Sequence, residues 1–153
     1  MLPKNYLSKY LSESDLNEIG NVISDVENHT SGELRLCIKV RRDILENRLS
    51  VRELAMNEFY SLKMDETKDK TGVLIFILFE ERKFEIIADE GINSKIQDFV
   101  WNNLINESVS YFRNEKYKEG LIFIIREIGK ILISEFPPRE DDKNELSDDV
   151  IVK

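Results

Sequence analysis

The pattern of apolar and polar positions is most distinctive at residues 71–79, where Thr-Gly precedes seven consecutive apolar residues. A strand with one wet face alternates apolar and polar side chains, whereas this run is apolar at every position and predicts a strand covered on both faces. The charged residues 80–83 end the run. We therefore predict a central strand, strand two, in a sheet that has helices on both sides.

One further strand is predicted before this run and one after it. Residues 33–40 alternate with period two and predict strand one, with a wet face that indicates an edge position. Residues 84–89 alternate in part and predict strand three, also at an edge. The connection 80–83 is too short for a parallel return, so strands two and three should form an antiparallel hairpin.

Apolar residues at helical spacing predict four helices. The first runs from about 12 to 28 and the second from about 50 to 62, both beginning with capping side chains. The third runs from about 92 to 113, with Phe99 in its apolar stripe, and the fourth from about 117 to 134. The second helix joins strands one and two as a right-handed βαβ unit with parallel strands. The predicted fold class is α/β: a three-layer α/β/α sandwich around a small mixed sheet, with strand two central, parallel to strand one and antiparallel to strand three.

The chain divides into three predicted segments. Residues 1–11 are a mixed N-terminal lead, and residues 12–137 form the domain, which Pro137 and Pro138 close because proline cannot continue a helix. Residues 138–153 form an acidic tail that is too polar to bury and is expected to be disordered, although its apolar last residues could dock on a surface.

Length and charge restrict the functional classes. A chain of 153 residues with 41% hydrophobic content suits one domain, and a formal net charge of −8 argues against nucleic-acid binding and against anionic membrane surfaces. Cys37 is the only cysteine, and we expect an inert buried thiol. The N-terminal residues contain no apolar run of signal-peptide length, and no stretch is long enough to span a membrane. We expect a soluble, cytoplasmic protein without direct membrane insertion, and the oligomeric state stays open.

Acidic residues are predicted to meet at one edge of the sheet. The starts of strands one and two should lie beside the end of strand three, which collects a set of carboxylates at this edge: Glu33, Asp65, Asp69, Asp89 and Glu90. With hydroxyl and carbonyl oxygens from Thr30, Ser31 and Thr71, they would suit calcium or magnesium. The alternative is a solvated acidic rim.

Three other features receive structural interpretations. His29 ends the first helix, where a hydrogen bond to terminal carbonyl groups is expected, and Trp101 is expected to pack at the margin of the core. Arg41 and Arg42, with Arg82 and Lys83, form a small basic spot at the opposite end of the sheet, which we interpret as a solvated loop face.

Several short motifs occur in the order found in one known family: Glu27, Thr30, Ser31, Gly32 and Glu33; Gly72, Val73, Leu74 and Ile75; Asp89, Glu90, Gly91 and Ile92; and Tyr117, Lys118, Glu119, Gly120 and Leu121. Across residues 12–137 the sequence resembles the TPM domain family, shared by thylakoid-lumen photosystem-repair proteins, a nematode acetylcholine-receptor regulator and many bacterial proteins. The resemblance implies an α/β/α sandwich. It also implies links to membrane-complex maintenance, weak acid-phosphatase activity and divalent-cation binding.

Together these observations predict a non-enzymatic binding or accessory module with a divalent cation at the acidic edge and a protein partner, such as a membrane-associated complex. The first alternative is a weak metal-dependent acid phosphatase, for which the sequence supplies acids without an evident base. The second is an oligomeric protein or one whose tail mediates interaction.

Overall fold

A computed structural model describes residues 6–139 and 150–153. Its sheet has four strands in the order β3-β2-β1-β4, with these bounds: β1 Glu33–Lys39, β2 Gly72–Leu78, β3 Lys83–Ala88 and β4 Ile151–Val152. The α-helices are α1 Glu13–Glu27, α2 Val51–Ser61, α3 Glu90–Asn93, α4 Asp98–Arg113 and α5 Tyr117–Glu135. Three short 3₁₀ helices occupy Ile44–Glu46, Met64–Glu66 and Phe79–Glu81. None of the described helices combines the length and apolar character needed to cross a membrane.

The predicted sheet topology is confirmed. All seven residues of β2 are buried, and β2 runs parallel to β1 with Glu33 opposite Gly72. β3 runs antiparallel to β2 and lies at one edge of the described sheet. The continuous apolar run therefore correctly predicted that β2 is central and that it is buried on both faces of the sheet.

The edge position predicted for β1 is wrong. β4 pairs parallel to β1 on the side away from β2, so β1 lies inside the sheet. The face carrying Glu33 and Lys39 is also less wet than its sequence suggests, because both residues are buried. The residues of β4 come from the end of the predicted disordered tail, whose middle part, 140–149, lies outside the described residues. At Ile151–Val152 the chain forms a paired strand instead.

Helices cover both faces of the sheet. α1, α4 and α5 pack on one face around Ile75 and Ile77 of β2, and α2 covers the other face around Phe76. Leu7 and Leu11 of the lead belong to the larger cluster, and the amides of Tyr10 and Leu11 both donate to the carbonyl of Leu7. The residues before 6 lie outside the described part.

Capping boxes begin α1 and α2, as their sequences predict. The Ser12 hydroxyl accepts from the Asp15 amide at 3.0 Å, and the Asp15 carboxylate accepts from the Ser12 amide at 2.9 Å. Ser50 and Glu53 form the same reciprocal pair at the start of α2. Each pair satisfies two amides that a helix terminus would otherwise leave without partners.

The long third helix of the sequence prediction is two helices, α3 and α4, separated by residues 94–97. Because the break changes the helical phase, Phe99 is 59% exposed, whereas Trp101 is 5% exposed and belongs to the core. The expected burial of Phe99 is therefore wrong. Trp101 packs more deeply than the margin predicted for it.

Candidate functional site

Two close backbone approaches position the loops at the acidic edge. A β-carbon at Gly72 would lie 2.5 Å from the Met64 carbonyl oxygen, and one at Gly91 would lie 2.5 Å from the Lys70 carbonyl oxygen. The Gly91 amide donates to that same Lys70 carbonyl at 2.9 Å. Only glycine allows such contacts, so the loop before β2 is held against the strand and against α3.

The predicted convergence of strand ends is present in the backbone. The Glu33 amide donates to the Thr71 carbonyl at 3.0 Å, and the Asp89 amide donates to the Gly72 carbonyl at 2.9 Å. Glu33, Thr71 and Asp89 therefore lie at the same edge of the sheet, as the strand directions predict.

The five acidic side chains have different surroundings at this edge. Glu33 is buried, Glu90 is exposed, and Asp65 is half-buried. Asp69 forms an ion pair with Arg139 on the chain segment after α5. Asp89 begins α3: its Oδ1 accepts from the Glu90 amide at 2.8 Å.

The second carboxylate oxygen of Asp89, Oδ2, is buried and has no hydrogen-bond partner among the described residues. Burying a carboxylate oxygen costs free energy unless a donor or a cation compensates it. This atom is the strongest indication of a ligand at the acidic edge.

The predicted hydroxyl ligands have structural partners. Thr30 Oγ1 donates to the carbonyls of Leu132 and Phe136 at the end of α5 and accepts from the Gly32 amide at 3.1 Å. Ser31 Oγ donates to the Phe136 carbonyl at 3.3 Å. These hydroxyls join the start of β1 to the end of α5.

The arrangement does not fit a ready-made metal site. Within residues 6–139 and 150–153, no three acidic, histidine or cysteine side chains are close enough to hold one ion. Calcium usually needs six to eight oxygen ligands, and magnesium needs six in near-octahedral geometry. The assignment of these residues to a metal stays a prediction, and any ion would need rearranged side chains or water to complete its shell.

Cys37 and His29 have the structural surroundings expected of them. Burial, and secondly the nearby Glu58 carboxylate, raise the pKa of the Cys37 thiol from about 9.0 to about 12. The thiol lies in the cluster under α2 and stays protonated at neutral pH. His29 Nδ1 donates to the Asp25 carbonyl at 2.8 Å, at the end of α1.

The opposite end of the sheet carries a feature that the sequence analysis missed. The connection from β1 to α2 contains a 3₁₀ helix whose Ile44 and Leu45 are 87% and 94% exposed. We call these two residues the apolar tip. In the sequence they stand within a run of charges, which predicts only a solvated connector.

Polar interactions hold the segment that carries the apolar tip. Arg42 donates to the carbonyls of Glu46 and Leu49, and its Nε lies 2.7 Å from Glu81 Oε2. The hydrogen bond from Arg42 lowers the pKa of the Glu81 carboxyl. Lys39 Nζ lies 3.4 Å from Glu46 Oε1. Burial alone would lower the pKa of Lys39, but the carboxylates of Glu46 and Asp43 outweigh it and raise that pKa.

The basic spot predicted beside this segment is only partly a solvated face. Arg82 has a left-handed backbone conformation, with φ of 55°, and its guanidinium lies among aromatic rings. Its Cζ is 4.7 Å from the centroid of Phe79, 5.1 Å from that of Tyr10 and 5.2 Å from that of Tyr117. Arg82 thus joins the lead, the β2–β3 connection and α5.

The fold is an α/β/α domain whose central strand, β2, pairs parallel with β1 and antiparallel with β3. The sequence profile of the TPM domain matches residues 5–131, and the chain belongs to the TPM domain family. No curated protein is significantly similar to it.

Solved structures agree with this assignment. The chain is similar to the BA42 protein of the psychrophilic bacterium Bizionia argentinensis, with 33% identity over 94% of this chain and 96% of that one, at a TM-score of 0.83. Two N-terminal domains share the fold. One, from a P. gingivalis protein, has 14% identity, coverage of 86% and 83%, and a TM-score of 0.69. The other, from the cg2496 protein of Corynebacterium glutamicum, has 12% identity, coverage of 86% and 80%, and a TM-score of 0.61.

Proposed function

We propose that this chain is a non-enzymatic binding module of the TPM type that holds a protein partner through the apolar tip. The observation that carries the proposal is the exposure of Ile44 and Leu45, 87% and 94%, on a hydrogen-bonded 3₁₀ helix. Burying an isoleucine or leucine side chain is worth about 1.5–3 kcal/mol. Because Arg42 and Lys39 already hold the segment, little of that gain would be lost to ordering the loop.

The surroundings of the apolar tip favour a protein pocket over an anionic membrane. Arg41 lies 3.1 Å from Glu80, and Arg42 lies 2.7 Å from Glu81, so these cations already have acidic partners. Attraction to anionic lipid needs cationic side chains free to face the headgroups. The partner we propose therefore offers an apolar pocket with a polar rim. Because TPM proteins are linked to membrane-complex maintenance, the subunits of such a complex are the first partners to test.

The test compares two variants, each of which replaces two exposed apolar side chains with serine. Ile44→Ser with Leu45→Ser removes the apolar tip, and Phe99→Ser with Ile133→Ser removes apolar side chains that are exposed elsewhere. A partner captured by the wild-type chain is purified and titrated against all three proteins by calorimetry. We expect the first variant to weaken Kd at least tenfold and the second to change it less than twofold, with unchanged melting temperatures.

Equal affinity of all three proteins for the partner would overturn the proposal. So would binding to phosphatidylserine vesicles that is lost only in the Ile44→Ser, Leu45→Ser variant, because the tip would then serve a membrane.

A divalent cation at the acidic edge is the second candidate function, and it rests on Asp89 Oδ2, the buried oxygen without a hydrogen-bond partner among the described residues. A calcium or magnesium ion there would also recruit carboxylates from Glu33 or Asp65, and Asp69 once it leaves Arg139. The weak metal-dependent acid phosphatase depends on the same ion. Phosphomonoester hydrolysis that requires both the metal and Asp89 would contradict the non-enzymatic assignment.

A further inference from the structure

β4 joins the core beside the segment that carries the apolar tip. The Lys153 amide donates to the Ile38 carbonyl at 2.8 Å, and the Val40 amide donates to the Lys153 carbonyl at 3.3 Å. Val40 directly follows β1 and begins the connection that leads to Ile44 and Leu45. The docked β4 therefore ends against the backbone that leads into the apolar tip.

The side chain of Lys153 has a mostly buried partner. Lys153 Nζ lies 3.4 Å from Glu58 Oε1 on α2, and the Glu58 side chain is only 13% exposed. That oxygen has no hydrogen bond among the described residues, so the lysine compensates its charge. Removing the cation from such a carboxylate is costly, because burial also takes away the water that would otherwise solvate it.

Lys39 is the second cation of this region, and it holds the apolar tip. Lys39 is buried, and its Nζ lies 3.4 Å from Glu46 Oε1 and 3.6 Å from Asp43 Oδ2. Glu46 Oε1 also accepts from the Asp43 amide at 2.8 Å, which caps the 3₁₀ helix of the apolar tip. Without Lys39, the two carboxylates would repel each other across this turn.

Lys39 also lies within electrostatic reach of Glu58. Burial opposes the charge on Lys39, whereas the carboxylates at the 3₁₀ helix and, more weakly, that of Glu58 raise its pKa. After burial, the charges that act on the pKa of the Cys37 thiol are those of Glu58, Lys153 and Lys39. One carboxylate and two lysines thus share one region under α2, and β4 brings one of the lysines.

The docking of β4 depends on few contacts. β4 has two residues, both half-buried, which pair with Cys37 and Ile38. A short strand of this kind opens locally at a free-energy cost far below that of global unfolding. Two states follow. In one, β4 is docked and Lys153 lies on Glu58, and in the other, β4 is released and Glu58 lacks this cation.

We propose that the docking of β4 controls the order of the apolar tip. With β4 docked, Lys153 neutralises Glu58, and Lys39 stays with Glu46 and Asp43. When β4 is released, Glu58 draws Lys39 away, and the apolar tip becomes mobile. This regulation rests on the function proposed for the apolar tip: a partner then binds more weakly, because it must order the apolar tip again.

The experiment measures backbone order parameters at Ile44 and Leu45 by NMR relaxation in the free, full chain. Ile151→Gly with Val152→Gly releases β4 without adding a charge. We expect the order parameters of the apolar tip to fall from about 0.85 toward the flexible range below about 0.6. Lys153→Met keeps the pairing of β4 but removes its cation, and it should loosen the apolar tip in the same way.

Adding Glu58→Gln tests the exchange of partners. Because it removes the carboxylate that draws Lys39 away, it should restore the order of the apolar tip to the wild-type value in both backgrounds. Glu58→Gln alone should leave the apolar tip unchanged. A loss of structure unrelated to charge would not be restored in this way. Order parameters at Asp15, in the capping box of α1, check that the domain stays folded.

An apolar tip that stays rigid in both the released variant and Lys153→Met would overturn the proposal. So would a mobile apolar tip that Glu58→Gln does not restore. Both results are obtained without a partner, so neither depends on the function proposed for the apolar tip.

Titration of the partner separates the regulation from that function. Because one or two residues must be ordered again, the released variant should bind the partner with a roughly tenfold weaker Kd. An unchanged Kd in this variant, beside a weakened Kd in Ile44→Ser with Leu45→Ser, would overturn the regulation and keep the proposed function.

Discussion

Gly129 of α5 lies directly against Val26 of α1, so closely that a β-carbon on the glycine would be 2.7 Å from Cγ2 of the valine. Val26 is buried in the last turn of α1, shortly before the chain enters β1. The stiff β-branched side chain cannot move far without leaving its rotamer. The contact therefore sets how closely the two helices approach on this face of the sheet.

Gly129→Ala should destabilise the fold by about 1–3 kcal/mol through overpacking, although alanine is the better helix former. Gly20→Ala in α1 is the matched control, because nothing lies within 4 Å of the added methyl group. The control should stabilise the protein by about 0.5–1 kcal/mol. Urea unfolding measures both values, and a stabilised Gly129→Ala protein would contradict the observed contact.

Millimolar calcium or magnesium should raise the melting temperature if the acidic edge binds a cation, since a ligand of the folded state alone stabilises it by mass action. Asp89→Asn should abolish the rise, because it removes the charge but keeps an oxygen to cap α3. Glu107→Gln, at an exposed acid on α4, is the control and should keep the rise. If neither ion raises the melting temperature of the wild-type protein, the proposal that the acidic edge binds a cation is wrong.

Because the pKa of Cys37 is raised in the folded chain, the free energy of unfolding should fall at alkaline pH. Its pKa is about 12 in the folded chain against 9.0 ordinarily, so the unfolded thiol loses its proton first. The contribution of Cys37 is complete below pH 9 and falls as pH rises toward 12, by at most about 1.4 kcal/mol per pH unit. Unfolding at pH 8 and pH 10 should show a larger loss for wild type than for Cys37→Ala. An equal loss would show that the thiol does not carry this dependence.

Arg82 should contribute stability through stacking as well as charge. Arg82→Lys keeps the charge but loses the planar group that lies over Phe79 and Tyr10, so we expect a loss of about 1–2 kcal/mol. Lys83→Ala, at a neighbouring and mostly exposed side chain, should cost less than about 0.5 kcal/mol. Thermal unfolding compares the two variants, and equal losses would mean that the stacking of Arg82 contributes nothing to stability.

Much of the fold was readable from local patterns. The apolar run of β2, the capping boxes at Ser12 and Ser50 and the short hairpin connection each depend on neighbouring residues, and the structure confirms all of them. The break at residues 94–97 was missed because the apolar spacing continues across it. Phe99 and Trp101 exchange their expected positions as a result.

The candidate sites, like the fold, were predicted only in part from the sequence. Strand directions alone predicted that Glu33 and Asp89 share one edge, because backbone pairing follows from the connection lengths. Whether carboxylates point at a common centre depends on side-chain partners far along the chain, and Asp69 is instead paired with Arg139. The apolar tip was hidden because sequence patterns do not measure exposure.

By itself, the sequence determined the family, the layered α/β/α architecture and the central place of β2, since these depend on periodic burial and short connections. Only the tertiary structure decided that β1 is internal, that Ile151 pairs beside Cys37 and that Ile44 and Leu45 face solvent. The physical reason is the distance along the chain. Pairing between segments more than a hundred residues apart leaves little trace in the local pattern of either segment.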